Sequence, residues 1–303
     1  MGSMSDLPTP STRIFGVMAR TAPRVVLIRR GPSRQVLLLT WNTATHEFHA
    51  GQWFKGRIYE ERCDLSPSGE KFIYLAAHHK APPYAWTAVS RPPYLTALVM
   101  WPNLGTWGGG GLFEGERLIA LNSHCGLAPS EGFAIPADIK VVPIGRWMGR
   151  GEDDPIRSVR MKRDGWHLVD EGECTEHRVG ERYKWEYTRP ERWHKRLGSL
   201  TLERRLLGVG EQDGPWLARD HRVLDAQGEL VLDLGPSDWA DWSHSDELLF
   251  ARGGRVGRCL RVGGTRMKEP EDLLDLRAMR FEPVPPPREA LGWNTRTRGR
   301  RIR

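Results

Sequence analysis

The chain lacks the short motifs that mark the commonest catalytic and membrane-embedded proteins. Its 303 residues contain no run of about 18 apolar residues, which excludes a transmembrane helix. There is no G-x-S-x-G, the nucleophile elbow of many hydrolases. There is no G-x-x-x-x-G-K-[ST], so a P-loop is also missing. Cys63, Cys125, Cys174 and Cys259 stand far apart with no C-x-x-C pair. That spacing reads as free thiols in a reducing compartment rather than a disulfide framework. Met1-Gly2-Ser3 reads as an added leader before Met4, and the Ser-Asp-Leu-Pro-Thr-Pro stretch after it lacks the apolar core of a signal peptide. A cytoplasmic protein is expected.

Turn-forming residues and tryptophan are plentiful instead. Thirty-three glycines and 22 prolines favour many turns over long helices, and 13 tryptophans supply flat rings to pack between sheets. With 39% hydrophobic and 27% charged residues the chain is polar but able to build a core. The net charge of +7 is concentrated: Glu176–Arg205 carries +4 and Arg288–Arg303 carries +5, leaving the rest about −2. Such segments meet nucleic acid, an anionic surface or an acidic partner, or form a solvated face and a solubilising tail.

Short apolar runs alternate with turn signals along the whole chain. Residues 12–20, 24–29 and 35–41 read as an opening meander of strands. Residues 237–261, SDWADWSHSDELLFARGGRVGRCLR, read as a small antiparallel sheet written out in order. Gly253-Gly254 suits a type I′ turn, in which both central residues need φ > 0. Asp225–Gly228 is a turn between two further strands. Residues 145–164 read as a polar excursion from the sheets, 270–276 as a short helix, and 278–284 as a last strand that closes onto the N-terminal ones.

Two segments carry a family resemblance. DLSPSGEKFIYL, from Asp64, and DWSHSDELLFARGGRVGR, from Asp241, resemble blade motifs of TolB-like and WD40-like β-propeller repeat proteins. The resemblance implies an all-β, propeller-like fold of roughly four to six antiparallel blades, at about 40–45 residues per repeat. It also implies that Asp64 and Asp241 tie turns together. The expected organisation is a disordered segment over 1–11, the propeller-like domain over 12–287 and a basic disordered tail over 288–303. The competing architecture is a pair of β-sandwiches divided near Gly151.

Few residues present themselves for chemistry. Four consecutive glycines, Gly108–Gly111, cost backbone entropy and must sit where something approaches closely, whether a strand, a ring or a ligand. They open no predicted helix, so a phosphate cradle is not supported. His78-His79, His124-Cys125 and Cys174/His177 lack paired metal-ligand spacing, and no metal or cofactor is assigned. Arg182, Trp185, Arg189, Arg192, Trp193 and Arg196 interleave cations and rings, as single-stranded nucleic-acid binders do and as an inward-packing strand also does. Trp101 and Trp107 flank the glycine run. The expectation is a non-enzymatic scaffold that binds a protein partner through these two segments. The alternatives are nucleic-acid association or a propeller-fold hydrolase with acid–base groups in a central funnel.

Overall fold

A computed structural model describes residues 12–31, 34–80, 82–145, 156–180, 182–210, 216–293 and 300–302. The described chain is all-β apart from one short helix and two 3-10 turns, and its sheets are mostly antiparallel. None of its helices is long and apolar enough to cross a membrane. Contacts divide it into two units, one gathering residues 15–28, 34–164 and 280–303, the other 1–14, 29–33 and 165–279.

In the first unit, β1 (Arg13–Met18), β2 (Arg24–Arg30), β3 (Gln35–Asn42) and β4 (Glu47–Lys55) follow one another in a single sheet. Arg13–Ile14 and Arg29–Arg30, at the ends of β1 and β2, belong to the other unit. Val25–Ile28 and Leu37–Leu39 are fully buried, which explains why these runs are apolar on both faces. The next sheet holds β5 (Arg57–Ile58), β6 (Asp64–Leu65), β7 (Phe72–Ala77), β8 (Ala85–Ser90) and β9 (Ala97–Asn103). All six residues of β7 are buried. A third sheet pairs β10 (Gly111–Gly115) with β11 (Leu118–Leu121), and β11 runs parallel to β12 (Lys140–Pro143). Ile73, Val89, Val99, Trp101, Phe113, Ile119 and Leu121 make the core shared by these last two sheets. Within the polar excursion, Ile156–Arg163 forms α1; residues 146–155 lie outside the described part.

In the second unit, β13 (His167–Asp170), β14 (Glu173–Val179), β15 (Arg182–Leu197), β16 (Leu200–Val209), β17 (Leu217–Leu224) and β18 (Leu230–Pro236) make a six-stranded sheet. β19 (Trp239–Trp242), β20 (Leu248–Arg252), β21 (Arg255–Cys259) and β24 (Glu271–Asp275) make another, and β22 (Arg261–Val262) pairs with β23 (Arg266–Met267). Gly253 and Gly254 have φ of 54° and 77°, and Arg252 faces Arg255 across them, as the hairpin reading requires.

Three local readings differ from the structure. The segment read as a helix over 270–276 is the strand β24, because its partner β21 sets Leu274 opposite Val256 and buries it. Residues 278–284 form no strand; Phe281 packs its ring 5.9 Å from Trp53, and Val284 accepts a bond from Gln52. The basic tail is ordered in part. Arg288–Leu291 is a 3-10 turn, Arg91 donates to the carbonyls of Gly292 and Trp293, and Arg300–Ile302 pairs antiparallel with β4. Backbone pairing explains this order, since a charged sequence still offers N–H and C=O groups to an open sheet edge. Residues 1–11, 294–299 and Arg303 lie outside the described residues.

Candidate interaction site

The loop from β9 to β10 is built on two devices, a buried arginine and the glycine run. Arg62, fully buried in a 3-10 turn, donates from one guanidinium nitrogen to the carbonyls of Thr106 and Gly108, each at 2.9 Å. Bonds from a charged donor contribute about 1.5–3 kcal/mol each. Gly108–Gly111 are themselves buried. Gly109 and Gly110 adopt φ of +98° and +81°, and a Cβ on Gly110 would lie 2.3 Å from the Arg62 carbonyl oxygen. A Cβ on Gly111 would meet the Ala120 carbonyl at 2.7 Å. Thr87 Oγ1 accepts from Gly110 N at 2.7 Å, and Asn122 Nδ2 donates to Gly109 O at 3.0 Å. Gly110 and Gly111 therefore answer to neighbouring backbone, whereas Gly108 and Gly109 lie against side chains, the His124 ring at 2.5 Å from a Cβ on Gly108 and Asn103 at 2.0 Å from one on Gly109.

What this rigid base presents is apolar. Leu104 is 91% exposed and Trp107 is 68% exposed. Tyr84 joins Leu104 at the same end of the sheet, since Ala85 pairs with Asn103 and the next residues outward are Tyr84 and Leu104. Trp101, the other aromatic expected at this surface, is withdrawn from it. Its ring is fully buried in the core, and Nε1 donates to Leu127 O at 2.9 Å. The alternation of the strand turns residue 101 inward.

The basic, aromatic segment in the second unit is largely occupied by its own carboxylates. Asp170 accepts from both Arg189 and Arg192. The Gly172 N–H and then these two guanidinium groups hold the Asp170 carboxyl down at about 2. Trp193 is buried, with Nε1 on Glu191 at 2.9 Å. Trp185 is half-buried, bonded through Nε1 to Glu176 at 3.1 Å and stacked on Tyr183 at 6.1 Å. Arg196 is exposed. Arg182 begins β15 opposite Val179, and its side chain lies outside the described part.

The two blade-like motifs fold the same way. Ser66 N–H donates to Lys71 O at 2.8 Å, and Ser243 N–H to Glu247 O at 2.8 Å. Ser66 Oγ accepts from Lys71 N, and Ser243 Oγ from Glu247 N. Gly69 and Asp246 close the turns with φ of 75° and 62°. The serines hold the turns, while the aspartates reach further. Buried Asp64 binds Arg163 of α1 through both oxygens at 2.7 and 2.9 Å, and accepts from Phe113 N at 2.7 Å. Burial opposes the charge on Arg163, and the bonds from Asp64 and Asp164 overcome it, so its pKa is raised. Asp241 binds Lys195 Nζ at 2.6 Å and its neighbour's Trp242 N at 2.8 Å.

Neither buried cysteine is poised as a nucleophile. Burial pushes the Cys259 thiol up to about 12 and raises that of Cys63 as well. Sequence reasoning missed Leu104, Tyr84 and Arg62. An apolar residue set among Pro, Asn and Gly in a loop was the available signal for Leu104; a buried arginine carries none. Set against protein-family models, curated proteins and solved structures, the chain finds no match.

Proposed function

We propose that this protein is a non-enzymatic interaction module that docks a protein partner with Trp107 as its anchor. The observation that carries the reading is the 68% exposure of Trp107, beside Leu104 at 91%, on a loop whose base is locked by Arg62 and the glycine run. Tryptophan is enriched among the residues that dominate binding energy, and a loop rigid before binding loses less entropy on docking. The nucleic-acid alternative has less support, because Arg189 and Arg192 are already engaged in ion pairs with Asp170.

The scaffold in this reading is propeller-like. Support comes from the meander order within the sheets, the repeated serine turn, and the bonds that bring the ends of the second unit together. There, Asp238 accepts from Ile14 N at 3.2 Å, and Arg29 donates to Leu276 O and Met279 O at 3.2 Å each.

Affinity capture with the tagged chain in the presence of nuclease tests the function. A stoichiometric protein held by the wild type and lost with Trp107→Ala is expected. Capture of the same protein, undiminished, by Trp107→Ala overturns the reading. Circular dichroism of the variant checks that its fold is intact.

A further inference from the structure

Cations gather at the sheet end that carries Tyr84 and Leu104, from which the Trp107 loop departs. Arg57 pairs through its backbone with Ala77 at the end of β7, beside the loop that carries Lys80 and Tyr84. Arg34 accepts a bond from Gly56 N through its carbonyl, which sets it next to Arg57. His79 lies among these groups: its Nδ1 is 2.9 Å from the Tyr84 hydroxyl, and its pKa is lowered, first by desolvation and then by Arg34, Arg57 and His78. Among the described residues no ion pair engages Arg34, Arg57 or Lys80; Arg57 rests over the Tyr59 ring at 4.4 Å. Of the two carboxylates nearest along the chain, one is already paired with another cation. Glu61 is buried against Arg160 at 3.0 Å, and Glu60 follows Tyr59 in the adjoining 3-10 turn. Exposed Tyr84 and Leu104, the loop that carries Lys80, and Arg57 thus share one end of this sheet, with Arg34 beside Arg57 from the neighbouring sheet.

We propose that the partner segment docked here is acidic: a peptide stretch with an apolar side chain to meet Leu104 and Trp107, flanked by Asp or Glu to meet Arg34, Arg57 and Lys80. This rests on the interaction-module reading and names the chemistry of its partner. Opposite charge steers encounter and selects partners, whereas the buried ring supplies most of the affinity. A lipid surface bearing anionic headgroups offers the same charge without a peptide, so the test separates the two.

The probe is an array of labelled peptides that keep a central Leu-Phe pair and vary the flanks among acidic, neutral and basic residues. Phosphatidylcholine vesicles, with and without phosphatidylserine, are run beside it. The expected result is selective binding of acidic flanks that weakens with salt. It should fall about tenfold or more in Trp107→Ala and in the Arg34→Glu, Lys80→Glu double variant. The charge-matched control Arg266→Glu, Lys268→Glu, at exposed positions of the other unit, should bind as wild type. Three results overturn the proposal: no preference for acidic flanks, a preference that survives Arg34→Glu, Lys80→Glu, or binding only to phosphatidylserine vesicles. If capture of a protein still depends on Trp107 while the array shows no acidic preference, the acidic partner falls and the interaction module stands. If capture ignores Trp107, the module itself falls.

Discussion

Asp64 has no exposed surface and spends its carboxylate on three bonds, two to Arg163 and one to the Phe113 N–H. Removing one member of a buried pair leaves the other charge uncompensated, at about 3–5 kcal/mol. Asp64→Asn should therefore destabilise the protein by about 3 kcal/mol, read from the shift of the urea midpoint at constant slope. An unchanged midpoint would mean that Asp164 alone satisfies Arg163. Gly110 tests the glycine run in the same way. Gly110→Ala requires a left-handed φ of +81° and pushes a methyl against the Arg62 carbonyl. A loss of about 2–4 kcal/mol is expected from the two effects together, against a change within about 0.5 kcal/mol for exposed Trp107→Ala. Gly105, where a Cβ would meet nothing within 4 Å, should accept Ala without loss. The presence of a close approach was legible in four consecutive glycines, but the identity of the approaching group was not.

Among the elements, the β14–β15 hairpin is the least covered. Residues 173–178 of β14 are all exposed, and among the described residues β14 pairs only with β15, whereas β7 is buried throughout and paired on both sides. Hydrogen exchange should show β14 amides exchanging at least about a hundredfold faster than those of β7, because local opening there costs little buried surface. Equal protection would show that the hairpin opens only with the whole fold. Its base is tied by Asp170 to Arg189 and Arg192. A carboxyl depressed to about 2 contributes a tie that is complete above its unfolded value near ~3.9 and is lost as pH falls through about 2. An NMR titration of Asp170 should place its midpoint well below the ordinary carboxylate range, with the β14–β15 amides loosening over the same interval. The strand alternation of this segment was readable from Tyr183, Trp185 and Tyr187. Its use of cations to hold its own carboxylates was not, since Asp170 lies far from Arg189 and Arg192 in the chain.

For the whole molecule, neither unit is a continuous stretch of sequence. The unit containing residues 165–279 also includes 12–14 and 29–31 of the described chain. Ile14 donates to Asp238, Arg29 to Leu276 and Met279, and Leu276 N to Gly254 O. A fragment starting at Gly165 keeps the last of these and loses the others, exposing apolar surface and leaving buried acceptors unpaired. It should lack the near-ultraviolet circular dichroism of a packed tryptophan core while retaining strand signal in the far ultraviolet. A fragment as well packed as the full chain would show that the N-terminal strands are dispensable to this unit.

Short apolar runs of Val, Leu and Ile cut by turn residues, glycine pairs at turns and the repeated D-x-S-x-S signature determined by themselves that the described chain is β-sheet and that its meanders run in sequence order. These are local preferences, set by φ, side-chain alternation and hydrogen bonds within a few residues. The tertiary structure decided what depended on partners distant in the chain. It made residues 271–275 a strand beside β21, gave part of the basic tail to β4, turned Trp101 inward and left Trp107 outside. It also set Arg62 beneath the loop and brought Arg34 and Arg57 beside His79, at the sheet end that carries Tyr84 and Leu104. Burial, and the pairing of a charge with a group 40 or 100 residues away, are properties of the packed chain, and no local pattern encodes them.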